Sequence, residues 1–119
     1  MIVDDEPDIT YIMKKAFQLN NISADSFNDA EEALSQFRPG LYRLLIIDIG
    51  MPRMNGFELY EEIRRLDKVV KVCFLSAFET YDEHRGFSNV ENKCVLKKPI
   101  RMAELVKHVR LEIAPLAAN

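Results

Sequence analysis

Four apolar residues, Leu44-Leu45-Ile46-Ile47, run together and stop at Asp48, and Gly50 and Pro52 then break the pattern. A short unbroken apolar run closed by turn residues fits a strand buried on both faces, ending where a loop begins. The rest of the chain alternates around it. Met1-Ile2-Val3 is a short first strand, closed by Asp4-Asp5-Glu6. Asp5 or Glu6 can cap the next helix, with Pro7 in its first turn. Ile9, Ile12, Met13, Ala16 and Phe17 recur at helical spacing until Asn20-Asn21. Ile22 to Phe27 gives a second strand. Asn28 or Asp29 caps a second helix carrying Ala30, Ala33, Leu34 and Phe37, with Pro39-Gly40 as its stop.

After the central run, Asn55 caps a third helix with Leu59, Tyr60, Ile63 and Leu66 inward. Val69 to Leu75 is a fourth strand, ending at Ser76-Ala77. Glu79 to Asn89 reads as a weak helix, because Gly86 and Ser88 interrupt it. Lys93 to Leu96 is a fifth strand, ending at Lys97-Lys98-Pro99. Met102, Leu105, Val106, Val109 and Ile113 mark a last helix. Strands alternating with helices predict an α/β chain: a single-domain, doubly wound, five-stranded parallel sheet of flavodoxin-like order 2-1-3-4-5 with helices on both faces. The 119 residues are the size of one domain, taken as 1–119.

Composition narrows the function. A net charge of -3 gives no basis for direct nucleic-acid binding. No apolar run approaches a membrane span, and Met1-Ile2-Val3-Asp4 lacks the start of a signal peptide, so a cytoplasmic protein is expected. Cys73 and Cys94 lie in apolar runs and read as buried, reduced thiols. With His84 and His108 the only histidines and no close Cys/His pair, a structural zinc site is not expected.

In a parallel sheet the C-terminal strand ends share one edge. Asp4-Asp5, Asp48, Ser76 and Lys98 follow four of the five strands and would converge there. Two carboxylates about 4 Å apart repel by roughly 4 kcal/mol at an effective dielectric near 20, so Asp4, Asp5 and Asp48 together call for a cation. Oxygen-only ligands in an open site favour Mg²⁺. Lys98 adds a positive charge suited to a phosphoryl oxygen, and Ser76 a neutral donor. These are the parts of phosphoryl transfer, with Asp48 able to act as the nucleophile.

The chain resembles the receiver domain of two-component response regulators over essentially its whole length. The resemblance rests on Ile2-Val3-Asp4-Asp5-Glu6-Pro7, on Ile46 through Gly56, on Leu75-Ser76-Ala77 and on Lys97-Lys98-Pro99. It implies Asp48 as phosphoacceptor, Asp5 as a direct Mg²⁺ ligand, Asp4 acting mainly through water, and the Gly50 backbone carbonyl as a further ligand. It implies Ser76, with Ala77 beside it, as the hydroxyl that moves toward the phosphoryl group, and Lys98 as its charge partner before a cis peptide to Pro99. The implied donor is a phosphohistidine on a sensor histidine kinase or a phosphotransfer protein. The only expected chemistry is phosphorylation and dephosphorylation of Asp48 itself.

Two positions depart from the family pattern. Val95 stands where many receivers carry an aromatic, and Phe78 stands where smaller or polar residues are common. The Glu79–Asn92 stretch also matches poorly, so an unusual surface for a downstream protein is expected there and on the last helix, which leaves room for a homodimer. Two other readings compete: a receiver fold kept as a protein-interaction module, and a magnesium-dependent phosphatase with an aspartyl intermediate. No acid/base carboxylate follows Asp48 closely, which disfavours the second.

Overall fold

The central run forms β3 (Leu44–Asp48), every residue of which is buried. It lies between β1 (Ile2–Val3) and β4 (Lys71–Ser76), both parallel to it. β2 (Ser26–Phe27) flanks β1, and β5 (Cys94–Lys97) flanks β4. The computed structural model describes residues 1–77 and 94–114, and within them the sheet order is β2-β1-β3-β4-β5. The expected weak helix over Glu79–Asn89, Phe78 and the Glu79–Asn92 stretch lie outside the described residues.

Side chains alternate across a strand, so the sheet feeds two cores. Val3, Leu45, Ile47, Val72 and Phe74 pack on one face under α2 (Ala30–Gln36) and α3 (Gly56–Leu66). Ile2, Leu44, Ile46, Cys73 and Leu75 pack on the other under α1 (Pro7–Leu19) and α4 (Met102–Ile113). The two-sided burial explains why β3 reads as a continuous apolar run rather than an alternating one. No helix among the described residues is long and apolar enough to cross a membrane.

Several boundaries move. β2 is two residues long, not Ile22 to Phe27, because β1 offers only Ile2 and Val3 to pair with Ser26 and Phe27. Ile22 and Ala24 instead pack partly buried against the α1/α4 core. On α1, Ile12 is 48% exposed and Thr10 is buried in the stripe. A hydroxyl can sit there because it donates to the Pro7 carbonyl (3.1 Å) and accepts from Asn28 Nδ2 (2.9 Å). Glu6 is the α1 N-cap by position but makes no side-chain cap; Asp4 Oδ1 accepts from the Glu6 N–H at 3.0 Å instead. Leu66 ends α3 half exposed, and the chain turns inward at buried Asp67. The Asp67 carboxylate ties that turn by accepting from the backbone N–H groups of Val69, Val70 and Gly40.

The cysteines overturn the expectation of reduced thiols. Cys73 and Cys94 face each other in register across β4 and β5 and are disulfide-bonded. Their 21-residue separation in sequence hid an adjacency that the strand register creates.

Candidate functional site

The strand ends meet at the C-terminal edge of the sheet. Asp4 follows β1 and is fully buried; Asp48 closes β3; Ser76 closes β4 and is also buried. Lys98 follows β5, and its backbone N–H donates to the Ser76 carbonyl at 2.8 Å. That bond continues the β4–β5 ladder past Ser76↔Lys97 and aims the lysine back across the edge. Its ammonium lies 2.8 Å from Asp4 Oδ2, 3.4 Å from Asp48 Oδ1 and 3.7 Å from Glu6 Oε1.

Asp4, Asp5 and Glu6 place carboxylate oxygens within 4.8 Å of one another. Glu6, a candidate cap within the Asp4-Asp5-Glu6 run, is not among the sequence's site candidates; its adjacency to Asp4-Asp5 is the available signal. Asp48 stands outside that trio, across the Lys98 ammonium from Asp4. Asn28 is a second missed member: its Nδ2 donates to the Asp4 carbonyl at 2.8 Å and to the Thr10 hydroxyl, clasping the β1–α1 turn. No sequence pattern marks it, since the contact joins two loops 24 positions apart.

Beyond Asp48, a tight loop presents exposed Gly50. Ile49 donates to the Leu75 carbonyl at 3.0 Å, Met51 to Ile49 at 3.1 Å, and Met54 to Pro52 at 2.8 Å. Asn55 then caps α3 in a reciprocal box with Glu58. Gly56 closes the loop by donating to the Ile49 carbonyl at 2.9 Å. A Cβ on Gly56 would lie 2.5 Å from the Asp48 carbonyl oxygen and 2.8 Å from the Ile49 Cα, so only glycine permits this approach.

Ala77 is exposed just past Ser76, and Val95 sits on β5 at 37% exposure, opposite Phe74 in the ladder. The Lys98–Pro99 peptide is cis.

Burial pushes the Asp48 carboxyl up to about 6; the Asp4 charge adds to this, Lys98 pulls part of it back, and Asp5 adds a little more. Burial works against the Lys98 ammonium, but the Asp4 and Asp48 carboxylates outweigh it and raise its pKa. Asp4 Oδ2 has the ammonium as charge partner but no well-directed hydrogen-bond donor among the described residues. A buried, under-satisfied carboxylate oxygen beside two further carboxylates is a donor set for a hard divalent cation.

The response regulator receiver domain model matches residues 1–110. A transcriptional regulatory protein, the CpxR homolog of Haemophilus influenzae, is 27% identical over 92% of this chain and 48% of its own length. The chain thus spans about half of that relative. The sensor protein EvgS of Escherichia coli is 30% identical over 92% of this chain but only 9% of its own. Among solved structures, the chemotaxis protein CheY4 of Vibrio cholerae superposes with a TM-score of 0.80 at 23% identity, covering 92% of this chain and 93% of that one. Matched by its sheet order, its acidic edge and the family model alike, the chain belongs to the response regulator receiver domain family.

Proposed function

We propose that residues 1–119 form one receiver unit that accepts a phosphoryl group on Asp48 from a phosphohistidine of a sensor histidine kinase or phosphotransfer protein. The observation that carries this reading is the Lys98 ammonium held between Asp4 and Asp48, from three different strand ends.

An Asp48 carboxylate oxygen attacks phosphorus, the P–N bond to the donor imidazole breaks, and the imidazole leaves with its electron pair. Asp5, Asp4, Asp48 and the Gly50 carbonyl would hold Mg²⁺, which supplies charge neutralisation for the phosphoryl oxygens. Lys98 balances a remaining phosphoryl oxygen, and the Ser76 hydroxyl donates to another. Exposed Ala77 follows Ser76 directly and adds no bulk beyond its methyl group there. The altered edge is passed to a downstream protein through the segment after Ala77 and α4. The chain itself turns over no external substrate.

Incubation with phosphoramidate and Mg²⁺, followed by hydroxylamine, tests the chemistry. Hydroxylamine cleaves acyl phosphates and spares phosphate esters. Incorporated phosphate that hydroxylamine removes supports an aspartyl phosphate; phosphate that survives contradicts it.

A further inference from the structure

We propose that Cys73 and Cys94 are a reversible dithiol–disulfide site, exchanged with low-molecular-weight disulfides of the glutathione type, that fixes or frees the strand delivering Lys98. Its effect on phosphoryl transfer rests on the receiver reading; the exchange itself does not.

β5 is the edge strand of the sheet and is held through β4. Its four rungs are Cys73↔Cys94, Phe74↔Val95, Leu75↔Leu96 and Ser76↔Lys97. The first rung is the cross-link, with Cα atoms 4.5 Å apart. The last rung carries Ser76 and leads into Lys98. A covalent tie at one end of this short ladder therefore sets the register at the end where the site lies. Without it, this four-residue edge strand keeps its register by its ladder hydrogen bonds and by side-chain packing such as that of buried Leu96.

The two sulfurs differ in access. Cys73 is 2% exposed, whereas Cys94 is half-buried, so an outside reagent meets Cys94 first. The Glu112 carboxylate of α4 comes within 4.8 Å of both sulfurs.

Oxidation runs in two exchanges. The Cys94 thiolate attacks one sulfur of the small disulfide and expels one thiolate. The Cys73 thiolate then attacks the Cys94 sulfur of the mixed disulfide and expels the second. The protein loses two electrons and two protons, and the small disulfide is reduced to two thiols. Reduction is the reverse, beginning with attack on Cys94.

The full chain is equilibrated across oxidised and reduced glutathione ratios and its thiols are alkylated and counted by intact mass. The expected result is a concerted change from zero to two modified thiols, with little mixed disulfide. Both forms of the wild type are then phosphorylated with phosphoramidate and Mg²⁺. The oxidised form, with Lys98 pre-positioned, should react roughly threefold faster, a modest share of what fixed geometry can contribute. Cys94→Ser should lose the redox response and match the reduced wild type. Two thiols that stay free in oxidised glutathione overturn the proposal, as do equal rates in the two redox states. Failure of phosphorylation in both states, with an intact thiol titration, contradicts the receiver reading and the strand-fixing role while leaving the exchange site standing.

Discussion

Lys98 and Asp4 form an ion pair of 2.8 Å in which the carboxylate is fully buried and the lysine side chain is 17% exposed. The same ammonium serves Asp48 at 3.4 Å, so one cation offsets two carboxylates from separate strands. Removing it leaves buried charge uncompensated. Lys98→Met should therefore lower the metal-free stability by about 2–4 kcal/mol, a buried-pair loss discounted for partial solvent access. Mg²⁺ should restore much of that loss, since it meets the same carboxylates. Denaturant melts with and without Mg²⁺ check both halves; an unchanged midpoint without metal, or no recovery with it, would count against this electrostatic picture.

The raised pKa of Asp48 has a signed consequence. A carboxyl at about 6 in the folded chain and near 3.8 unfolded keeps its proton longer when folded. Stability from this group is therefore full below pH 4 and falls as the pH rises through 4 to 6. Screening reduces the loss to about 1–2 kcal/mol. Asp48→Asn abolishes the titration, so without metal the variant should be the more stable protein above pH 6 and the difference should vanish below pH 4. Melting temperatures across that range, in chelator, decide it. A variant that melts lower than wild type at neutral pH contradicts the argument.

Cation binding should appear as linkage. At tenfold above its dissociation constant, Mg²⁺ stabilises by about 1.4 kcal/mol. That is a rise in melting temperature of several degrees for a chain this size. Asp5→Asn should abolish most of the rise with little effect on the metal-free protein, because Asp5 is only half-buried. A scanning fluorimetry series in Mg²⁺ gives the answer, and an equal rise in both proteins would remove Asp5 from the ligand set.

Gly56 is predicted to be indispensable for shape rather than chemistry. A methyl group there meets the Asp48 carbonyl and the Ile49 Cα, both backbone, which cannot swing aside. Gly56→Ala should cost about 1–3 kcal/mol and shift the Asp48 loop. Loss of stability together with slower phosphorylation is expected. Unaltered values of both would show the loop to be looser than its geometry indicates.

Much of this was legible because period and punctuation carry backbone information. Leu44–Ile47 followed by Asp48 marked the buried strand and its end, and Asn55 with Glu58 marked a helix start that the structure keeps as a capping box. The convergence of Asp4, Asp48, Ser76 and Lys98 followed from parallel topology alone. Contacts between loops were not legible. Asn28 clasps Asp4, and on α1 Thr10 is buried while Ile12, placed in the apolar stripe by its spacing, is half exposed, because local periodicity does not record which polar side chain finds a partner across the fold. The Cys73–Cys94 bond is hidden for a related reason: each cysteine lies in its own apolar run, which reads as a buried free thiol, while the β4–β5 register places the sulfurs together.

We propose that Asp48 takes the phosphoryl group with help from a bound cation. Intact-mass measurement after incubation with phosphoramidate, in Mg²⁺ and in chelator, on wild type and Asp48→Asn, addresses it most directly. The prediction is a single phosphoryl gain in the wild type with Mg²⁺, lost on chelation and absent from Asp48→Asn. A gain of the same size in Asp48→Asn, or no gain in the wild type, would contradict it.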